Sequence, residues 1–181
     1  MFALVITGPP GAGKTEVLTT LSDLLVADDI RHVSVEVEAL TAAHPPLEDD
    51  QWAAPVRAVC SLYRRFGYEL LLVTATVESQ QDLDAVLAAI GADEHAVIRL
   101  EADASTLRRR IIEREPDDWL GLDELLAAAG RLGPVIAGLA GIAGAFSTEG
   151  EQPEAVAQRI RAAFPDKLRP ASLSSARRRR R

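Results

Sequence analysis

Residues 2–15 read Phe2-Ala3-Leu4-Val5-Ile6-Thr7-Gly8-Pro9-Pro10-Gly11-Ala12-Gly13-Lys14-Thr15, and this stretch decides the fold. Its first five residues form a continuous apolar run, which is typical of a strand buried on both faces. The residues from Gly8 to Thr15 match G-x-x-x-x-G-K-[ST], the pattern of a phosphate-binding loop. The match therefore lies where such a loop belongs, directly after a strand.

Each residue type in this loop has a physical reason to be there. The glycines lack a Cβ, so the backbone can wrap closely around an anion and aim its N–H groups at it. Lys14 supplies a positive charge for the β- and γ-phosphates of a nucleotide, and the Thr15 hydroxyl is a ligand for Mg²⁺. The predicted nucleotide-binding residues are Gly8, Pro9, Pro10, Gly11, Ala12, Gly13, Lys14 and Thr15.

The residues after the loop strengthen this interpretation over a chance match. Val17, Leu18, Leu21, Leu24 and Leu25 recur with the spacing of one apolar helix face. A helix that begins at the loop adds the positive end of its dipole to the anion site. A chance match somewhere in a chain of this length is expected in roughly one case in a hundred.

Composition limits the partners of the chain. The 181 residues are 48% hydrophobic, enough for one core, so we expect one domain. Lys and Arg number 20 and Asp and Glu 27, giving a net charge of −7. Without the five arginines 177–181 the charge is −12, which argues against nucleic acid as a main partner. Cys60 is the only cysteine, so no internal disulfide or cysteine metal cluster is expected.

The sequence also predicts the location of the protein. Residues 2–6 belong to the first strand and no basic segment precedes them, so we expect no signal peptide. No apolar run approaches the roughly 20 residues needed to cross a bilayer, so no membrane partner is expected. We therefore expect a cytoplasmic protein. The sequence does not indicate an oligomeric state.

Strands and helices alternate along the whole chain, which predicts a parallel sheet covered by helices. Strands are expected at residues 2–6, 31–37, 69–75, 96–100 and 142–147. Helices are expected after the loop, from about 49 to 67, over 80–90, from a cap at Ser105 through Glu115, over 117–140 with an interruption at Gly133-Pro134, and over 153–164. We expect one domain over residues 1–164 and a disordered basic tail over residues 165–181.

With these elements placed, the chain resembles the P-loop kinases that phosphorylate small molecules, such as shikimate, gluconate, chloramphenicol and nucleotide kinases. The resemblance covers residues 1–164 and is specific at Gly8–Thr15. It implies a three-layer α/β/α fold with a five-stranded parallel sheet in the order 2-3-1-4-5. It also implies an ATP- and Mg²⁺-dependent enzyme that transfers the γ-phosphoryl group to a hydroxyl of a small-molecule acceptor.

The resemblance assigns roles to two glutamates at the end of the second strand. In Glu36-Val37-Glu38 both carboxylates lie on one face, as do the acidic residues of these kinases at this place. Glu36 would then hold Mg²⁺ together with Thr15, and Glu38, nearest the end of the strand, would orient or deprotonate the acceptor hydroxyl. The alternative is that both glutamates are solvated residues on an edge strand.

These kinases also bring arginines to the transferred phosphoryl group from a helix near the lid. The segment from Thr106 to Glu115 fits by position, and Arg110 and Arg114 lie one turn apart beside its packed side. Both are therefore predicted catalytic residues, because a guanidinium can bind phosphate oxygens through two donors. The alternative is a structural role in ion pairs with neighbouring acids. Residues 147–154 resemble the turn that borders the adenine in these kinases.

The acceptor is expected outside the C-terminal ends of the strands. Its walls would come from residues 39–60 and the loop after the third strand, with candidate contacts from His44, Trp52, Arg57 and Glu78. Each candidate has an ordinary alternative: an exposed loop histidine, a packed tryptophan, a solvated arginine and a helix-capping glutamate.

The chain departs from many P-loop enzymes because its third strand ends without an acid before Glu78. No Asn-Lys-x-Asp motif for guanine is present. These absences argue against an ordinary hydrolytic ATPase or GTPase. The missing acid favours, as the alternative to a kinase, a regulatory module that binds a nucleotide without transferring phosphate. A non-kinase NTPase is a third option. The terminal arginines 177–181 would bind nucleic acid only weakly, and their alternative is a solubilising or incidental tail.

Overall fold

The computed structural model describes residues 1–48, 51–116 and 118–168. It shows a five-stranded sheet in the order β2-β3-β1-β4-β5, and all strand pairs are parallel. The elements are β1 Phe2–Thr7, α1 Lys14–Ala27, β2 Val33–Glu36, α2 Val37–Thr41, α3 Ala53–Arg65, β3 Leu70–Thr74, α4 Gln80–Ile90, β4 Glu94–Glu101, α5 Ala104–Arg114, α6 Leu122–Ala137, β5 Ile142–Ser147 and α7 Pro153–Ala163. The predicted fold class and strand order are confirmed.

Strand β1 lies at the centre of the sheet and is buried on both faces. Ala3 and Val5 pack into one hydrophobic cluster, which also holds side chains of α3 and α4. Leu4 and Ile6 pack into a second cluster, built largely from α1, α5 and α7. These two cores explain why the first strand is a continuous apolar run and not an alternating one. Among the described helices, none is long and apolar enough to cross a membrane.

The second strand is shorter than predicted. Strand β2 stops at Glu36, and the short helix α2 begins at Val37. Glu38 therefore lies on a helical turn and not at the end of an extended strand. The next helix, α3, begins at Ala53 instead of near residue 49, with Trp52 at its N-cap. The predicted strand ran on to Val37 because a single turn of helix can keep this residue on the same apolar face as the strand residues before it.

Two helices in the C-terminal half correct the predicted boundaries. Helix α5 has Asp103 at its N-cap instead of Ser105. Helix α6 runs without a break from Leu122 to Ala137 and includes Pro134. Proline removes one hydrogen bond to the carbonyl four residues earlier. That residue is Gly130, which is exposed, so water can satisfy its carbonyl and the helix continues.

The packed part of the chain extends beyond the predicted boundary at residue 164. The Leu168 side chain is completely buried in the cluster beside α1 and α7. Its backbone N–H donates to the carbonyl of Phe164 at 3.0 Å, and Lys167 forms an ion pair with Glu94. Residues 165–168 therefore belong to the domain. The predicted disorder of residues 169–181 lies outside the described part of the chain.

Leu168→Ala is expected to lower the free energy of unfolding by about 2–4 kcal/mol, because it empties a fully buried site. Urea unfolding monitored by circular dichroism measures this change. Val26→Ala is the control, since Val26 is 66% exposed and its replacement should change stability by less than about 0.5 kcal/mol. Equal small effects for the two variants would show that Leu168 does not pack against the domain in solution.

Candidate functional site

The loop from Gly8 to Gly13 joins β1 to α1 and packs tightly against β4 and α5. Gly11 has a φ of +80°, and a Cβ there would lie 2.7 Å from the carbonyl oxygen of Leu107 on α5. A Cβ on Gly8 would lie 2.7 Å from the carbonyl oxygen of Leu100 on β4. Glycine is required at both positions because a side chain would push the loop away from these elements. The pattern found in the sequence therefore forms the expected compact loop.

Lys14 folds its side chain back over this loop. Its ammonium donates to the carbonyl oxygen of Gly8 at 2.9 Å and to that of Pro9 at 3.4 Å. Burial lowers the pKa of Lys14 to about 8, and the charges of Glu38 and Arg114 act on it in opposite directions. Arg114 lines the same cavity as Gly13, the residue before Lys14, and Glu38 binds the loop after β3, the strand that pairs with β1. Both side chains therefore lie at the end of the sheet that carries Lys14.

The lowered pKa of Lys14 predicts that nucleotide binding weakens in alkali. Only the ammonium attracts phosphate oxygens, and free Lys14 loses its proton as the pH rises through about 8. Below that pH the charge is already present, so the affinity does not change through Lys14. Above it the dissociation constant of ADP should rise by up to about tenfold per pH unit. Titration calorimetry from about pH 7 to about pH 10 measures this slope. Lys14→Arg, which keeps its charge, should remove the slope, and an identical slope in both proteins would contradict the assignment.

Thr15 and Glu36 form the part of the site that fits a magnesium ion. The Thr15 hydroxyl donates to Oε2 of Glu36 at 2.6 Å, which joins the start of α1 to the end of β2. A hydroxyl and a carboxylate are hard oxygen ligands of the kind that Mg²⁺ takes. Within the described ranges, no group of three or more His, Cys, Asp and Glu side chains is placed to hold a metal. A magnesium ion here would therefore rely on water and phosphate oxygens for its other ligands.

Glu38 projects from α2 toward the loop that follows β3. Its Oε1 accepts a hydrogen bond from the backbone N–H of Thr76 at 2.6 Å. No other hydrogen bond to its carboxylate is found among the described residues, so the second oxygen is available to a ligand. The hydrogen bond fixes the direction of the carboxylate, which is what a group that receives a proton from a bound hydroxyl requires.

The two predicted catalytic arginines lie in different surroundings. Arg110 donates to Oγ1 of Thr148 at 2.9 Å, to the carbonyl oxygen of Thr148 at 2.7 Å and to that of Gly11 at 3.3 Å. Arg114 is 55% exposed and forms an ion pair with the adjacent Glu115 at 2.6 Å. Arg110 therefore holds protein groups in place, whereas Arg114 has donors that face solvent near Lys14.

A cavity of about 370 Å³ opens beside the phosphate-binding loop. Its walls come from the loop, α1, α5 and the turn between β5 and α7. The lining residues are Gly11, Gly13, Glu16, Val17, Arg110, Glu113, Arg114, Thr148, Glu151, Pro153 and Val156. Its size and its position next to the loop suit the base and sugar of a nucleotide. The turn predicted to border an adenine does form part of this cavity.

The four predicted acceptor contacts are not joined to one another. His44 is exposed in the loop after α2, and Arg57 is exposed on α3. Trp52 packs against the hydrophobic cluster under α3. Glu78 forms an ion pair with Arg131 of α6 at 2.8 Å. In the described part of the chain, no hydrogen bond or ion pair joins any two of the four, so their role in acceptor binding stays a prediction.

Several groups near the site were missed by sequence reasoning. The backbone N–H of Thr76 carries no side-chain signal, and Arg131 is one exposed arginine on a helix among several arginines of the chain. Thr148 and Glu149 lie in the turn that the sequence did single out, but nothing in the pattern shows that α5 binds them. These contacts join residues that are far apart in sequence, so spacing along the chain does not reveal them.

No family model matches the sequence, and no curated protein matches it. Solved structures do match. A sugar kinase from Janibacter sp. is 17% identical with a TM-score of 0.66, covering 94% of this chain and 97% of that one. A gluconokinase from Sinorhizobium meliloti is 17% identical with a TM-score of 0.63, covering 92% and 93%.

Two further solved structures also match this chain. A shikimate kinase from Acinetobacter baumannii in complex with shikimate is 17% identical with a TM-score of 0.58, covering 92% of this chain and 95% of that one. A tunicamycin resistance protein from Deinococcus radiodurans is 18% identical with a TM-score of 0.59, covering 94% and 99%. At these identities the likeness establishes the fold. The resemblance to small-molecule P-loop kinases is thereby confirmed at the level of fold.

Proposed function

We propose that this protein is an ATP- and Mg²⁺-dependent kinase that transfers the γ-phosphoryl group to a hydroxyl of a small molecule. One observation carries the proposal: Lys14, the Thr15–Glu36 pair and the oriented carboxylate of Glu38 gather at the same edge of the sheet. This edge is where the strands of an open α/β sheet end and where ligands bind in such folds. The kinases among the structural matches support the same reaction class.

The nucleotide would lie across the loop and the neighbouring cavity. Its phosphates would accept hydrogen bonds from the loop backbone and from Lys14, which would exchange its contacts with Gly8 and Pro9 for phosphate oxygens. Its base would occupy the cavity of about 370 Å³, between Arg110 and Pro153. When bound, Mg²⁺ would be held by the Thr15 hydroxyl and, directly or through water, by the Glu36 carboxylate. The ion would neutralise charge on the phosphates.

The transfer itself needs orientation and charge neutralisation more than covalent chemistry. The free oxygen of Glu38 would accept the proton of the acceptor hydroxyl while the Thr76 N–H holds the other oxygen. Lys14 would balance charge on the transferred group, and Arg114 would add a second positive charge there after leaving Glu115. We propose that Arg110 acts on the nucleotide from the side where its base would lie, because the donors of Arg110 already bind Thr148 and Gly11.

The acceptor would bind between α2, the loop after β3 and α6. Glu78 and Arg131 bridge this loop to α6 with an exposed ion pair at 2.8 Å. An exposed pair contributes little to stability, typically below about 1 kcal/mol, so an acceptor can displace it at small cost. His44, Trp52 and Arg57 remain further candidates. We propose that Glu78 and Arg131 contact the polar groups of the acceptor.

A regulatory module that binds a nucleotide without transfer is the second candidate. The segment after β3 supports it, because Ala75-Thr76-Val77 carries no acid that would help to hold the metal. A non-kinase NTPase is a third candidate for the same loop. The three differ in the fate of the γ-phosphate, so one measurement separates them.

The test is incubation with γ-labelled ATP, Mg²⁺ and a panel of sugars, nucleosides and aminoglycoside-type compounds. We expect the label to move to an organic acceptor that contains a hydroxyl group. Release of the label only as inorganic phosphate would identify an NTPase. Saturable ATP binding with no turnover on any acceptor would favour the regulatory module. Glu38→Gln, which should bind ATP without transfer, is the matched control.

A further inference from the structure

Residues 147–152, here called the base loop, connect β5 to α7 and form one wall of the cavity beside the phosphate-binding loop. The backbone N–H of Thr148 donates to the carbonyl oxygen of Glu101 at 2.8 Å, which attaches the base loop to the end of β4. Arg159 of α7 donates to the carbonyl oxygen of Ser147 at 2.6 Å. Arg159 also forms an ion pair with Glu151 of the base loop at 2.9 Å. Further contacts of the base loop are made with α5, the helix that forms the opposite wall.

Glu149 makes two of these contacts. Its Oε2 accepts from the backbone N–H of Asp103 at 3.0 Å, and its Oε1 accepts from the hydroxyl of Thr106 at 2.7 Å. Asp103 is the N-cap of α5 and makes no side-chain capping bond of its own. Glu149 thus performs, from a distant segment, the task that the glutamate of a capping box performs within a helix.

The charge of Glu149 suits this arrangement. Both of its partners are donors, so the ionised carboxylate is the form that accepts both bonds at once. The hydrogen bonds from Thr106 and from the Asp103 backbone lower the pKa of Glu149, and nearby Arg110 and Arg109 act in the same direction. The carboxylate is therefore ionised at neutral pH and holds both donors.

The base loop and α5 are tied from the opposite direction as well. Arg110 of α5 donates to the Thr148 hydroxyl at 2.9 Å and to the Thr148 carbonyl oxygen at 2.7 Å. Glu149 accepts from α5 while its neighbour Thr148 is held by α5, so two successive residues fix the loop to the helix. Glu149 is not among the residues that line the cavity, whereas Arg110 and Thr148 are.

We propose that Glu149 is a positioning residue for the nucleotide base: it holds the base loop and α5 at the separation that admits the base. The inference rests on the proposed function only in placing a nucleotide in this cavity. Because Glu149 touches the walls and not the ligand, it acts through Arg110 and Thr148. Its loss should therefore weaken contacts to the base and leave contacts to the phosphates intact.

The experiment compares ADP with inorganic pyrophosphate, which offers the same number of phosphates to the loop but has no base. Isothermal titration of Glu149→Ala should show the dissociation constant of ADP raised about tenfold, the effect of losing the equivalent of one to two hydrogen bonds. The dissociation constant of pyrophosphate should stay within about twofold of the original value. Glu94→Ala removes a paired surface carboxylate far from the loop and should change neither constant.

A second variant separates positioning from a general loss of structure. Thr106→Val keeps the shape of a buried side chain and removes only the hydroxyl that binds Glu149. It should raise the ADP constant less than Glu149→Ala does, and the double variant should bind ADP no more weakly than Glu149→Ala alone. Glu149→Asp, which keeps the charge on a shorter side chain, should recover part of the affinity.

Three results would overturn the inference. ADP binding by Glu149→Ala that equals the wild type would show that the contacts do not matter. Equal weakening of ADP and pyrophosphate binding would show a general structural role. Wild-type protein that binds the two ligands equally well would show that no base occupies the cavity. In contrast, the wild type could bind the two ligands with different affinities and still transfer no label to any acceptor. That result would contradict only the proposed kinase reaction.

Discussion

Replacing Lys14 by alanine should remove nearly all phosphoryl transfer, a loss of at least about 10²–10³-fold in kcat/KM. Lys14 lies directly beside the place where the phosphates would bind, since its ammonium already donates to the carbonyl oxygens of Gly8 and Pro9. Its charge would be worth more in the transition state, where negative charge moves toward the bridging oxygen. The measurement is steady-state transfer of labelled phosphate to whichever acceptor the panel identifies.

The control for this variant lies on the same helix. Asp23→Ala changes an exposed residue of α1 and should leave transfer unchanged. Thermal unfolding of both variants separates lost chemistry from lost structure. Turnover by Lys14→Ala within about twofold of the wild type would show that the loop does not carry catalysis.

Replacing Glu38 by glutamine should lower kcat by about 10²–10⁴-fold while the affinity for ATP changes little. The amide oxygen of glutamine can still accept the Thr76 N–H that Glu38 accepts at 2.6 Å, so the local geometry is kept. An amide cannot take up the proton of the acceptor hydroxyl. Pre-steady-state measurement of the transfer step isolates this effect from product release.

Glu69→Gln is the matched control, because Glu69 is an exposed glutamate just before the start of β3, at the opposite end of that strand from Thr76. It should change neither kcat nor the affinity for ATP. If Glu38→Gln transfers phosphate at the wild-type rate, Glu38 serves only to hold the loop after β3. The kinase proposal would then need another group to receive the proton.

The bounds of some helices and strands could be predicted because they depend on residues that are neighbours in the sequence. Strand β5 and helix α4 have the predicted bounds, and α4 ends at Gly91, which takes a positive φ at the C-cap. The pairing of Arg109 with Glu113 also follows from their spacing on one helix face, and the structure places the two side chains 3.9 Å apart. Such patterns reflect interactions within one or two turns of chain, which the order of residues specifies directly.

The candidate site was predictable only in part, for a related reason. The glycines, Lys14 and Thr15 form a single short motif, so their grouping is set by the sequence. The meeting of Thr15 with Glu36 depends on the place of β2 in the sheet, which the resemblance to kinases supplied. The position of Glu38 on α2 and its bond to Thr76 were not predicted, because both depend on how two loops pack together.

The sequence by itself determined the buried first strand, the phosphate-binding loop and the alternation that requires helices on both faces of a sheet. These are consequences of side-chain polarity and backbone freedom at neighbouring positions. Only the tertiary structure decided that Arg110 holds Thr148, that Glu149 caps α5 and that Leu168 completes the core. Each of these contacts joins two segments whose separation in space is unrelated to their separation along the chain.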